Sequence, residues 1–178
     1  RARIGQQGEA GNRAEAVARG REALALAREM GDRALESSTL CNLGMMYAVL
    51  DRPDEADAAL RSALVAAREL GHVRLESVVL CNLGIVTERL GEAAEAKTHF
   101  EAALHISHAL GDPRYEGQVL GYLGVLQARQ GEHAAARHCL DSGEALLRSA
   151  ADSYALAGLL TSRAEAEHLA GDAAGAAE

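Results

Sequence analysis

Leu40-Cys41-Asn42-Leu43-Gly44 returns forty residues later, letter for letter, as Leu80-Cys81-Asn82-Leu83-Gly84. Outward from these pentads, residues 37–76 laid over 77–116 agree at 15 of 40 positions, among them Glu55/Glu95, Ala56/Ala96, Ala63/Ala103 and Gly71/Gly111. The register continues through Leu120, Leu123, Gly124 and Ala136, and runs back through Ala16, Ala23, Leu24, Gly31 and Glu36. A unit of this length, copied along a chain, cannot bury its own apolar face. Its stability has to come from stacking on its neighbours.

Each period divides again. Glycine or a turn residue recurs about every twenty positions, at Gly11, Gly31, Asp51, Gly71, Gly91, Gly111, Gly131, Ala151 and Gly171. Glycine tolerates the left-handed conformation that closes a helix, and Asp32, Asp112, Asp152 and Asp172 stand where a carboxylate can cap the next one. Pro53 and Pro113 fall at first helical positions, where the missing N–H costs nothing. Two helices per period follow, with spans near 12–30, 33–50, 53–70, 73–90, 93–110, 113–130, 132–149 and 152–170, and partial helices at both ends.

Composition agrees with an all-α reading. The 178 residues include 38 alanines and 25 leucines but only 2 prolines, 1 phenylalanine, 4 tyrosines and no tryptophan, a poor supply for a β-sandwich or barrel. The formal charge of −8, with scattered basic residues, leaves little for phosphate neutralisation, so no nucleic-acid partner is expected. No apolar run approaches the roughly 18 residues of a membrane span, and no basic-then-apolar leader opens the chain. With 3 cysteines, a cytoplasmic protein without membrane contact is expected.

In the units that begin at residues 37 and 77, the first helix carries an apolar residue followed by Asn-Leu-Gly, and the second carries Glu-Ala, a bulky residue and a small one. This pattern resembles the tetratricopeptide repeat, in a 40-residue form similar to that of G-protein signalling modulators and bacterial regulatory proteins. Leu40, Leu43, Gly44 and Tyr47 match the large, leucine, small and aromatic positions of the family's first helix; Ala56, Leu60 and Ala63 match the small, bulky, small series of the second. The next unit supplies Leu80, Leu83, Gly84, Thr87, Ala96, Phe100 and Ala103, and the third Leu120, Leu123, Gly124, Gln127, Ala136, Leu140 and Gly143. Thr87 and Gln127 depart from the aromatic position, and Ser162-Arg163-Ala164 replaces Asn-Leu-Gly in a degenerate fourth unit. The resemblance implies a right-handed α-solenoid of antiparallel helix pairs over residues 1–178, with repeats at 37–76, 77–116 and 117–156 and partial ones at 1–36 and 157–178. The chain opens on Arg1 and stops within an expected second helix, so a fragment of a longer protein is expected.

Leu40, Leu43, Gly44 and Tyr47 share one side of the first helix. Ser38, Asn42, Met45 and Val49 cluster on the other, within about 60° of one another at the helical step of ~100°. Their equivalents are Val78, Asn82, Ile85 and Arg89, then Gln118, Tyr122, Val125 and Arg129. In the family this face lines the concave groove. Apolar side chains gathered on it point to a contact site for a peptide or protein segment. By the resemblance, Asn42 and Asn82 would hold a peptide main chain; equally, they would serve the array's own packing. Arg89 and Arg129 would hold an acidic group, or pair with carboxylates of their own chain such as Glu88 and Glu92. The chaperone-tail specificity of the family is disfavoured, because Lys97 is the one lysine.

Other chemistry finds little support. Cys41 and Cys81 stack one period apart, but first helices standing about 9–10 Å apart exceed the ~7 Å that a disulfide spans. His105 and His108 share a helix face without a third metal ligand. Glu36, Glu76 and Glu116 recur at helix starts, where they favour the helix dipole rather than acid-base catalysis. The expectation is a non-enzymatic binding module without cofactor or metal, the interaction or sensor part of a larger bacterial regulatory protein. The alternative is self-association as a homodimer.

Overall fold

The computed structural model describes the backbone of residues 2–175 and the side chains of residues 14–171. Eight helices run in order: α1 (Ala2–Glu29), α2 (Arg33–Val49), α3 (Pro53–Glu69), α4 (Val73–Arg89), α5 (Ala93–Ala109), α6 (Pro113–Arg129), α7 (His133–Ser149) and α8 (Ser153–Gly175). No strand occurs among the described residues. The six helices from α2 to α7 are 17 residues each, as a 40-residue repeat of helix pairs requires.

One closure recurs from turn to turn. Gly31 N–H donates to Arg28 O at 3.1 Å while Asp32 N–H reaches back five residues to Ala27 O at 2.9 Å, satisfying carbonyls that the helix end leaves unpaired. The same pair of bonds recurs around Gly71, Gly111 and Gly131. This geometry needs a positive φ, which Gly71 adopts at 62°; Asp51 and Ala151 adopt it as well, at 57° and 54°. The carboxylates of Asp32, Asp112 and Asp152 then accept from the N–H of Leu35, Tyr115 and Ala155. His72 takes the cap position of α4 and accepts from Leu75 N–H through Nδ1 at 3.2 Å.

Two expected breaks do not occur. α1 passes through Gly11 and α8 through Gly171, because glycine permits a left-handed turn without imposing one. The side chain of Asp172, expected as a cap, lies outside the described residues.

The chain divides into two compact units, the first ending at Gly91 and the second beginning at Glu92. In the first, Leu40, Leu43 and Tyr47 of α2 are buried together with Ala56, Leu60 and Ala63 of α3 and Val79, Leu80 and Leu83 of α4. Each fully buried leucine contributes about 1.5–3 kcal/mol. A Cβ added to Gly44 would stand 2.6 Å from Leu60 Cγ and 3.2 Å from Ala56 O, so α2 and α3 touch at a distance only glycine allows. Tyr47 is buried with its hydroxyl accepting from Arg21 Nε at 2.9 Å and the Arg52 guanidinium over its ring. In the second unit, Gly124 meets Leu140 and Ala136 O in the manner of Gly44. Leu140, Leu147, Ala155, Leu159 and Ala166 form one apolar cluster with Ala128 and Ala136.

The recurring glutamates do more than favour a dipole. Glu36 accepts from Arg28 Nε at 2.9 Å and Arg33 Nη1 at 2.6 Å, Glu76 from Arg68 Nε at 2.7 Å, and Glu116 lies 3.2 Å from His108 Nδ1. Each links the last turn of one helix to the first turn of the next. These bonds hold the Glu36 carboxyl below the usual carboxylate range, the Arg28 bond being the largest cause and the Arg33 bond the next.

Candidate functional site

In the first unit, Asn42, Met45 and Val49 of α2 line a hollow of about 350 Å3 together with Met46, Leu50 and Ala16 of α1. Asn42 is exposed, and its amide stands as one polar group among apolar neighbours. Between α2 and α4 lies a second hollow of about 500 Å3, with Ser38 and Val78 on its walls beside Leu35, Leu75 and His72. Ser38 directs its hydroxyl to Ala34 O at 2.6 Å, within its own helix. Asn82 is half-buried and donates from Nδ2 to Cys41 Sγ at 3.4 Å, so its amide serves the contact between repeats. Ile85 is half-buried. Arg89 donates to Ala48 O at 2.7 Å and to Asp51 Oδ1 at 3.2 Å, tying the end of α4 to the turn after α2.

In the second unit, a hollow of about 410 Å3 opens between α6 and α8. Gln118 and Tyr122 line it from α6, and Tyr154, Gly158 and Ser162 from α8. Adding eighty to Ser38, Arg74, Leu75 and Val78 gives Gln118, Tyr154, Ala155 and Gly158. The cleft of the first unit thus recurs at equivalent positions in the second. Arg129 donates to Glu165 Oε1 from Nε at 3.0 Å and from Nη2 at 2.5 Å.

Val125 departs from expectation: it is buried, not open. Where α2 carries Cys41, α6 carries Gly121, and a Cβ there would stand 3.7 Å from Leu159 of α8. α8 thus packs against this side of α6, on which Val125 lies one turn further along. At α7, Gly143 takes the place of Ala63 and Ala103; a Cβ on it would stand 2.6 Å from Leu159 Cδ1.

The sequence reading missed Leu35, Leu75, Met46, Leu50 and Tyr154. Extending the stripe of Ser38 and Asn42 one turn toward the helix start would have reached positions 34 and 35, and their equivalents 74, 75 and 154. Cys41, Cys81 and Cys139 are buried thiols outside any disulfide. Burial pushes the Cys41 thiol up against the opposing Asn82 bond, and the Cys139 thiol up against the opposing Lys97 charge, which keeps both as poorly nucleophilic thiols. Among the described residues no cluster of three or more His, Cys, Asp or Glu side chains could hold a metal ion, and His108 is engaged with Glu116. No helix among them is long and apolar enough to cross a membrane.

Comparison with known proteins falls in line with this geometry. Two tetratricopeptide repeat models match, one over residues 37–70 and one over 75–149, together more than half of the chain. The chain belongs to the tetratricopeptide repeat family. No curated protein matches it. Among solved structures, BtubC (BKLC) from P. vanneervenii is similar at a TM-score of 0.75 and 19% identity, over 93% of this chain and 72% of that one. A candidate kinesin light chain from Podosopora anserina, with nearly identical TPR-like repeats, matches at a TM-score of 0.67 and 17% identity, over 94% of this chain and 87% of that one. At these identities the likeness establishes the fold. Tetratricopeptide repeats generally mediate protein–protein interaction.

Proposed function

We propose that the chain is a non-catalytic scaffold that receives a protein or peptide segment on the open face of its first helices, as the interaction part of a larger bacterial regulatory protein in the cytoplasm. The observation that carries this reading is the recurrence, at positions eighty residues apart, of a hollow between consecutive first helices: about 500 Å3 at Ser38 and Val78 and about 410 Å3 at Gln118 and Gly158. Repeat proteins use extended surfaces of this kind for binding, and a cleft of several hundred Å3 takes side chains of a partner rather than solvent alone. Met45, Met46, Val49 and Leu50 add an adaptable apolar surface in the first unit. The bacterial setting is supported by 17 arginines against 1 lysine and by the abundance of alanine.

Selection of displayed random peptides, followed by titration of those enriched, tests the reading. Met45→Asp and Val78→Asp should each weaken the selected peptides at least about tenfold, while Val65→Asp on α3, exposed on a different helix, should leave them unchanged. Peptides that lose affinity only in Val65→Asp would overturn it. In the alternative, a second copy occupies the same face. Sedimentation at rising concentration then shows a dimer that Val78→Asp disrupts and the selected peptides displace.

A further inference from the structure

The cleft between α6 and α8 differs in chemistry from its counterpart between α2 and α4. Asp32, His72 and Arg74 stand at the first cleft, whereas no charged side chain lines the second. The lining of this cleft therefore offers a partner no ion pair. Two aromatic rings stand in their place. Tyr122 is 43% exposed and stacks on the fully buried Phe100 ring at 6.1 Å and 12°, which fixes it as a rigid platform. Tyr154, at 92%, is the most exposed of the large hydrophobic side chains and occupies the position that Arg74 has in the first cleft. The remaining lining is small or apolar, from Gly121, Ala155, Ala157, Gly158 and Leu159. Gly158 replaces Val78, and a Cβ built there would meet no atom within 4 Å, so the space is left open rather than filled by a neighbour. The polar side chains present, the Gln118 amide and the hydroxyls of Tyr122, Tyr154, Thr161 and Ser162, are neutral; Thr161 donates to Ala157 O of its own helix, and the Gln118 amide and the Tyr154 and Ser162 hydroxyls are of a kind that can donate.

Resting on the scaffold reading above, we propose that this cleft binds an uncharged, proline-rich segment of a partner protein in its extended polyproline form. Such a segment has few N–H groups, leaves its carbonyls without internal bonds, and presents flat apolar rings every few residues. Donors without charge suit the carbonyls. Tyrosine rings beside a small, apolar lining suit the pyrrolidine rings, and the segment's stiffness reduces the ordering cost of binding.

The test is a fluorescence-anisotropy titration of the whole chain with a capped, labelled decaproline and, as control, a capped glycine–serine peptide of equal length. Decaproline should bind and the control should not. Tyr154→Ala and Gly158→Leu should each weaken decaproline at least about tenfold. Gly158→Leu should melt no lower than wild type, since it replaces a poor helix former where there is room for a side chain, so its loss of binding cannot be ascribed to unfolding. Equal binding of the two peptides, no binding of decaproline, or equal affinity in wild type and both variants would overturn the proposal. Peptides selected as above that still depend on Met45 and Val78 would then leave the scaffold reading standing, and only the polyproline assignment would fall.

Discussion

Arg163 of α8 places its Nη2 2.7 Å from Glu144 Oε2 of α7. Both residues stand where earlier repeats have leucine: Arg163 follows Leu43, Leu83 and Leu123, and Glu144 follows Leu64 and Leu104. Two departures from the repeat have therefore occurred as a pair. Asp141 accepts from the same guanidinium at 2.8 Å, and Arg148 lies 2.5 Å from Glu144, so the charges form a small network rather than an isolated bridge.

Replacing this pair by the leucines of the other repeats should stabilise the second unit. Partly buried ion pairs gain less than well-packed apolar residues of similar size, whereas removing one partner strands the other. Arg163→Leu alone is expected to be neutral or destabilising, and the double substitution with Glu144→Leu to exceed the better single variant by about 1–2 kcal/mol. Urea unfolding of the four proteins measures the coupling; strictly additive effects would show that the two positions act independently.

The close contact at Gly44 and Gly124 gives a second expectation. Gly44→Ala and Gly124→Ala force Leu60 or Leu140 to move and should cost about 1–3 kcal/mol each, although alanine is the better helix former. Gly158→Ala, where the added carbon meets nothing within 4 Å, should instead gain up to about 1 kcal/mol. Thermal melts that rank the three alike would refute close helix approach as the reason for glycine.

Ala151 holds a φ of 54° at a turn where five other repeat junctions have glycine. A left-handed conformation costs a residue with a Cβ about 1–2 kcal/mol relative to glycine. Ala151→Gly should raise stability by about 0.5–1 kcal/mol, after the flexibility that glycine adds to the unfolded chain. The check is the denaturation midpoint at an unchanged slope.

Glu36 makes one part of the stability pH-dependent. Its carboxyl is held below the ordinary value by the bonds from Arg28 and Arg33, so the contribution is present above the unfolded-state pKa near 4.5 and is lost as pH falls through the lower folded-state value. Wild type should therefore lose stability on acidification below about pH 5 more steeply than Glu36→Gln, the two curves converging in acid. Parallel curves from pH 7 to 3 would mean that the bonds contribute nothing.

Much of the fold was legible in advance because it rests on local rules repeated many times. Gly31, Gly71 and Asp112 mark turns by conformation and capping alone, and even Asp51 and Ala151, which break the glycine pattern, are located by the period. The buried stripe of Leu40, Leu43 and Tyr47 follows from helical spacing. Less of the face was legible. Asn42, Met45 and Val49 do line one hollow and Gln118 and Tyr122 another, but Val125 is covered, Asn82 is turned to Cys41, and Arg89 and Arg129 are taken up by Asp51 and Glu165.

Periodicity by itself determined that this chain is a run of paired helices, since turn conformation and helix amphipathicity are encoded within a few neighbouring residues. Which side chains of the outer stripe remain open was decided only by tertiary packing. Whether a helix comes close depends on what two distant residues leave between them, as Gly121 and Gly143 do for Leu159, and no stretch of one helix contains that information.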